Sequence, residues 1–288
     1  MPNKDENRIS VGVFGCGSIG RELAYQISQT PHKFANINAL CDRSIYKAQT
    51  LNEDLQLNSL IANDLERITE QHDVDVIVEC ASISAVWDKA TMILESGKDL
   101  MIMSSGALSD ERFLNNVTSV ASKNHRRLIV PSGAIGGIDT IKAVKDQLET
   151  ITLTTTKHPK SLKGAPGFKE WENKEISEPI LLYSGSARNV VALFPSNTNV
   201  GTTLSLAGIG SDKTKVNVIA DPSVSVNKHE IEAHGKFGSI KLQFLLATSK
   251  RKPKTSSLAI LSAVEALRTA YSPQLELGTL KHTPAYYS

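Results

Sequence analysis

The sequence predicts an α/β protein in two parts: a doubly wound domain on a Rossmann-type parallel sheet, followed by a second mixed α+β domain. Three observations carry this reading. An apolar segment, Val11 to Phe14, runs through Gly15-Cys16-Gly17-Ser18-Ile19-Gly20 into a helix-like stretch, Arg21 to Thr30, and the next apolar run, Ile37 to Leu40, ends at Asp42. Short apolar runs then alternate with segments of helical period as far as Leu148, the order that a parallel sheet with crossover helices requires. From Ile151 the pattern changes to apolar residues alternating with threonines, as expected for a sheet packed on one face and more polar on the other. At 288 residues the chain is long enough for two cores.

After Asp42, Ser44 to Leu51 reads as a short helix, followed by a polar stretch rich in Asn and Asp, and Leu65 to Glu70 as a second short helix. Asp75 to Glu79 is a buried strand and Ser84 to Leu94 its crossover helix, which Gly97 ends; Leu100 to Met103 is the next strand. Ser104-Ser105-Gly106-Ala107-Leu108 follows directly, at the sheet edge where ligands lie in such folds. Asp110 to Lys123 is a helix and Arg127 to Val130 a strand. Pro131-Ser132-Gly133-Ala134-Ile135-Gly136-Gly137 then breaks regular structure before a helix from Asp139 to Leu148, where the first domain hands over to the second.

In the second part, Lys157 to Glu178 is a loop dense in Lys, Pro and Gly. Ser186 to Phe194 and Val200 to Ala207 are short apolar-periodic segments, and strands are expected at Lys215 to Ala220, Lys228 to Ala233 and Ile240 to Ala247. Lys250 to Lys254 is a charged turn. Ser256 to Ala270 is an amphipathic helix, with Leu258, Leu261 or Val264, Ala266 and Leu267 available for its face. The expected division is therefore residues 1–135 for nucleotide binding, 136–250 for substrate and dimerisation, and 251–288 for a last helix and tail that return to the first domain.

Composition narrows the function classes. Charged residues make up 22% and the formal net charge is +2, which gives no electrostatic case for nucleic acid. The start, Asn3 to Arg8, is polar rather than an apolar signal, and no apolar run approaches membrane-spanning length, so a soluble cytoplasmic protein is expected. Cys16, Cys41 and Cys80 have no metal-ligand spacing and an odd count, and they read as small buried thiols; no metal is expected.

The glycine loop carries the most specific chemistry. Gly15 would make the tight turn, Gly17 would let the backbone approach a pyrophosphate, and Gly20 would let the helix pack closely on the sheet. The helix start would receive the phosphates. Asp42 sits where a carboxylate accepts hydrogen bonds from an adenosine ribose and repels a 2′-phosphate, whereas Arg43 beside it suits such a phosphate. NAD is the first expectation, with NADP tolerated.

The rest of an active site should come from the second part, at a cleft that the cofactor loop adjoins. On a strand from Lys228 to Ala233, His229 shares a face with Ile231 and Ala233, while Lys228, Glu230 and Glu232 point away. Two readings stand on that spacing: a base with a pKa near the working pH, and a satisfied core histidine. Of Asn197 and Asn199, one reads as a helix cap and the other as a donor to a carboxamide or carbonyl. Lys157, His158, Lys160 and Lys163 form a basic cluster that suits a carboxylate or simply solvent, and Arg188 is another anion-binding candidate.

Taken together these stretches resemble the L-aspartate dehydrogenase family over almost the whole chain. The resemblance is carried by Gly15 to Gly20, Val78-Glu79-Cys80-Ala81-Ser82, Ser104 to Leu108, Pro131 to Asp139, Lys157 and Pro159, Gly185 to Arg188, Leu193 to Val200, Asp221-Pro222 and Asn227 to Ile231. It implies a homodimeric enzyme that oxidises L-aspartate with NAD or NADP to iminoaspartate, with His229 as the catalytic histidine. By the same resemblance the cofactor contacts in the second half are Ala134 and Asn199, beside those expected in the first half at Gly15, Cys16, Gly17, Ser18, Ile19, Gly20, Asp42, Arg43, Ala81 and Ser105. Arg188 and Lys157 are the candidates for the substrate carboxylates. The chain departs from the family pattern at Gly201-Thr202, where two alanines are usual, and at Cys80. The alternatives are a dehydrogenase of another small amino or imino acid, and an NAD(P)-binding regulatory protein without turnover.

Overall fold

Two large sheets organise the chain in the computed structural model, which describes residues 8–30, 34–71, 73–195, 198–249 and 252–271. They belong to two compact units. Among the described residues, the first comprises those within 8–107, 111–131 and 260–271, and the second those within 108–110 and 132–259.

The first unit runs β1 (Ile9–Phe14), α1 (Ser18–Gln29), β2 (Ala35–Cys41), α2 (Ile45–Asp54), β3 (Leu60–Ala62), α3 (Glu66–Thr69), β4 (Val76–Glu79), α4 (Ile83–Glu95), β5 (Asp99–Ile102), α5 (Glu111–Lys123) and β6 (Leu128–Ile129). Its six strands pair in parallel in the order β3-β2-β1-β4-β5-β6, so the winding reverses between β1 and β4. Every residue of β4 and β5 is buried, as parallel strands covered on both faces must be. Val11, Val13, Leu40, Val76, Val78 and Met101 meet Leu23, Ala24 and Ile27 of α1 in the core. Strand β3 lies inside the stretch expected to be irregular: three residues are too few to show a period, and Leu60–Ala62 is a strand only because β2 offers a free edge.

The second unit runs α6 (Ile138–Val144), β7 (Leu148–Lys157), α7 (Pro159–Leu162), β8 (Ile180–Ser186), α8 (Ala187–Leu193), α9 (Asn199–Ala207), β9 (Lys215–Ala220), β10 (Asn227–Gly235), β11 (Gly238–Leu246), β12 (Thr248–Ser249) and β13 (Lys252–Ser256). Its five-stranded sheet has the order β11-β10-β7-β9-β8, with β7 and β9 parallel and the other pairs antiparallel. Ile151 and Leu153 of β7, Val216 and Val218 of β9, and Ile231 and Ala233 of β10 form the covered face, packed with Ile141, Val190, Val200 and Leu204 from the helices. The opposite face carries Thr152, Thr154, Asn217 and Glu230, the polar half of the alternation.

Several expectations need correction here. The helix expected to reach Leu148 ends at Val144, and a single 3-10 turn, Lys145–Gln147, leads into β7. The loop from Lys157 contains α7, whose His158 accepts a hydrogen bond from the Lys160 backbone N–H at 3.2 Å, and a 3-10 turn at Pro166–Trp171. Strand β8 was not expected at all, because Ile180-Leu181-Leu182-Tyr183 is apolar without alternation and its pairing with β9 is set at long range. The charged turn is replaced in its described part by β13, paired with β12; residues 250 and 251 lie outside the described residues. The last helix, α10 (Ser257–Tyr271), buries Ile260, Ala263 and Leu267 in the first unit's core, whereas Leu261 is 49% exposed. A face three and four residues apart passes through Ile260, not Leu258 or Leu261.

Candidate functional site

In the first unit the glycine loop has the form a dinucleotide needs. Gly15 has φ +101°, and a Cβ there would lie 2.7 Å from the Cys80 carbonyl and 2.8 Å from the Ala81 nitrogen, so only glycine fits the turn. A Cβ at Gly20 would collide with the Gly15 carbonyl oxygen and approach Val13 Cγ1 at 3.2 Å, which sets how closely α1 rides on the sheet. Before Gly17, by contrast, a Cβ would meet nothing within 4 Å. That open space lies at the start of α1, which has no acidic residue in its own first turn. These residues fit a pyrophosphate.

Asp42, at the end of β2, binds protein as well as marking the adenosine side. Its Oδ2 accepts the Cys16 backbone N–H at 2.9 Å and its Oδ1 that of Ser44 at 2.9 Å, so the carboxylate fixes both the glycine loop and the turn bearing exposed Arg43. Cys16 is held within the loop: its N–H is taken by Asp42 and its thiol donates to the Cys41 carbonyl at 3.6 Å. Burial, reinforced by Asp42, pushes the Cys16 thiol up to about 12. All three cysteines are free and buried. Ile19 packs on the core, and Ser18 is half-buried.

The loops after β4 and β5 are joined by a residue the sequence reading used only as part of a motif. Glu79, 1% exposed at the end of β4, accepts through Oε1 from the Ala81 N–H at 2.7 Å and the Ser104 hydroxyl at 2.8 Å, and through Oε2 from the Ser104 N–H at 2.9 Å. Burial pushes its carboxyl up, opposed by these hydrogen bonds. A buried carboxylate four residues into an otherwise apolar strand was the signal available for it. Ala81 is exposed and Ser105 buried beside this junction.

In the second unit the polar groups gather at one end of the covered sheet face. His229 pairs with Thr155 in the β10–β7 register, and the Thr155 hydroxyl and His229 Nδ1 are 3.0 Å apart. Strand alternation puts Asn227 and Lys157 on the same face, and Asn227, Thr155, Lys157 and His229 are all buried. Burial lowers the Lys157 pKa to about 8. Burial, and then the charge of Lys157, lowers that of His229 to about 3. This corrects the expectation of a histidine ionising near the working pH: the imidazole is neutral throughout the physiological range, and the lysine is the group that titrates within reach of it.

The remaining candidates separate. Arg188 forms a two-pronged ion pair with Asp212, at 2.5 and 2.8 Å, which commits its fork to the protein and weakens it as a carboxylate clamp. Lys160 and Lys163 are exposed, as is His234. Ala134 is buried and Asn199 is the first residue of α9; the cap position belongs to Thr198, while Asn197 lies outside the described residues, as do His32, His72 and His282. In α9 a Cβ at Gly201 would stand 3.1 Å from Val216 Cγ2, so the helix lies close on the sheet at this point. Among the described residues the Thr202 Oγ1 is a buried side-chain atom with no hydrogen-bond partner.

Two family models match the chain in succession. Residues 15–131 match the homoserine dehydrogenase NAD-binding domain, and residues 139–270 match the aspartate dehydrogenase C-terminal domain. The L-aspartate dehydrogenase of Nitrosopumilus maritimus is 41% identical over 271 residues, covering 93% of this chain and 99% of that protein. That of Methanosarcina barkeri is 39% identical over 94% of this chain and all, 100%, of the relative. The crystal structure of aspartate dehydrogenase from Thermotoga maritima superposes with a TM-score of 0.71 at 27% identity, covering 93% of this chain and 99% of that one. With such identity along nearly its full length, and with the parallel and mixed sheets both accounted for, this chain belongs to the L-aspartate dehydrogenase family.

Proposed function

We propose that this protein oxidises L-aspartate with NAD or NADP to iminoaspartate, which hydrolyses to oxaloacetate and ammonia. The observation that carries the reading is the buried pairing of a neutral imidazole, His229, with Thr155 beside the cation Lys157, in a chain of this family. The first unit supports the cofactor half: Gly15, Gly17 and Gly20 would hold the pyrophosphate at the start of α1, and Asp42 the adenosine ribose. When bound, the nicotinamide supplies the acceptor for the α-hydrogen as hydride.

The residues of the second unit handle protons and charge. An aspartate ammonium must lose a proton before its nitrogen can form an imine, and the imine must then be attacked by water. His229 is the group for either transfer: it rests neutral with Thr155 against its Nδ1, and the carboxylates of a bound dianionic substrate would offset the burial and the Lys157 charge that hold its pKa down, so that it could take a proton. Lys157 offers a positive charge to a dianionic substrate from a buried position where that charge is little screened. Arg188 is the weaker candidate for that role because Asp212 already holds it. The protein acts as a homodimer through the second unit's sheet. Leu181, Ile219, Thr156, Lys228 and Leu245 form one row across the face opposite His229, and its ends, Leu181 and Leu245, are 58% and 61% exposed.

The test is a panel of L- and D-amino acids with NAD and with NADP, followed at the reduced-nicotinamide band, together with reductive amination of oxaloacetate. L-Aspartate should be the best substrate in the oxidative direction. Greater turnover of another amino acid would reassign the substrate, and cofactor binding without any turnover would make the chain a regulatory NAD(P)-binding protein.

A further inference from the structure

We infer that Glu79 is a positioning residue for the nicotinamide half of the cofactor, acting by tying together the loops after β4 and β5. A dinucleotide crosses such a sheet where the strand order reverses, here between β1 and β4. Asp42 at the end of β2 marks the adenosine side, so the other half extends over the ends of β4 and β5. The two loops found there are Cys80 to Ser82 and Ser104 to Ser105. A single side chain spans them: the Ser104 N–H and hydroxyl from one loop and the Ala81 N–H from the other donate to the Glu79 carboxyl, with the Ser82 backbone also bearing on it. The first of these loops also presses on the glycine turn, since the Cys80 N–H donates to the Phe14 carbonyl at 2.7 Å and Cys80 and Ala81 occupy the space beside Gly15. The carboxylate thus fixes the spacing of the loops after β4 and β5 from beneath.

Chemistry requires a carboxyl group with two accepting oxygens at this place. Both backbone donors are N–H groups that cannot reverse their role, so both oxygens must accept. An amide has one accepting oxygen: in either orientation, Glu79→Gln would set its NH2 against the N–H of Ala81 or of Ser104, and the buried N–H would lose its partner. Glu79→Gln therefore changes the loop spacing with almost no change in volume.

This inference rests on the first unit's being the dinucleotide holder, and its test does not depend on the aspartate reaction. Binding of NADH and of ADP-ribose, which lacks the nicotinamide, is measured by fluorescence and calorimetry on the full-length protein and on Glu79→Gln. The variant should melt cooperatively, keep its ADP-ribose affinity within ~3-fold and lose ~10-fold or more in NADH affinity, because only the nicotinamide half depends on these loops. Equal losses for the two ligands, or no loss for either, would overturn the assignment. Should Glu79→Gln fail to fold, Ser104→Ala takes its place: it removes one hydroxyl donor, leaves both N–H bonds, and should weaken NADH by about 3-fold relative to ADP-ribose. An unchanged ratio in Ser104→Ala would then sink the proposal. A failure to oxidise aspartate would leave this binding comparison intact.

Discussion

Two side chains of the second unit, Lys157 and His229, show how burial moves the ionisation of ordinary residues. The lysine charge and the loss of water both oppose protonation of the imidazole. Lys157→Met removes one of the two effects, so the His229 pKa should rise above its value of about 3, read from imidazole proton and nitrogen resonances across a pH titration. An unmoved titration would show that the lysine does not face the ring. His229→Ala should keep folding and NADH affinity but lower aspartate turnover by ~100-fold or more, the scale of a lost general base. Near-wild-type turnover would transfer the role to Lys157. The same histidine links stability to acid: because its folded pKa is depressed from 6.5 to about 3, the unfolded chain binds the extra proton between those values, and stability falls as pH drops through that window. Thr202 is a simpler case. Its unpartnered hydroxyl costs stability, so Thr202→Val, which keeps the shape, should raise stability by about 1 kcal/mol in urea unfolding.

At the scale of elements, the glycine loop and the turn after β2 behave as one piece because Asp42 bridges them. Removing its charge has two consequences of different sign. Asp42→Ser relieves repulsion of a 2′-phosphate next to Arg43, yet it also frees the N–H of Cys16 and of Ser44. NADP binding should therefore gain on NAD binding by ~10-fold while absolute NAD affinity falls, measured by titrating both cofactors. A ratio that stays with NAD would mean that the ribose is selected by something other than this acid. The helix ends show a related economy: Ser82 accepts the Ala85 N–H at 3.1 Å and caps α4, while Ser186 accepts the Asn189 N–H at 3.3 Å and caps α8. Neither serine was singled out in the sequence, where the helices were expected from Ser84 and from Ser186 itself, and Thr198 in front of α9 makes no such bond to its own helix.

For the molecule as a whole, the question is what the second unit's sheet does with its uncovered row. Light scattering at micromolar concentration should report about twice the monomer mass. Replacing Leu181 and Leu245 together by glutamate should shift that mass toward the monomer, because like charges would then meet across the interface. A variant that stays dimeric with unchanged stability would move the interface elsewhere. No helix among the described residues is long and apolar enough to cross a membrane. The N-terminal end of β5 is closed by a cluster within the first unit, where Tyr271 donates to Asp99 at 2.6 Å and the Arg127 guanidinium lies 4.1 Å over the tyrosine ring. That cluster ties α10, the last described element, to a strand more than half the chain away.

What the sequence determined by itself was local or periodic. Glycines at Gly15, Gly17 and Gly20 mark a turn that admits no side chain, Asp42 ends a strand, and alternation along β10 puts His229 on the buried face, since each depends on neighbours a few residues off. The expected parallel first sheet and mixed second sheet follow from the same periods. Tertiary structure decided what depends on distant partners. Strands β3 and β8 exist because edges were available to pair with them. Arg188 is paired with Asp212, from a loop more than twenty residues on, and α10 chose the face that fits the first core. The state of His229 could not be read from its spacing at all: a pKa belongs to an environment, and Lys157 and the surrounding burial come from a strand that lies more than seventy residues earlier. Glu79 likewise looks like one acid in an apolar run until Ser104, from the next strand's end, is folded onto it.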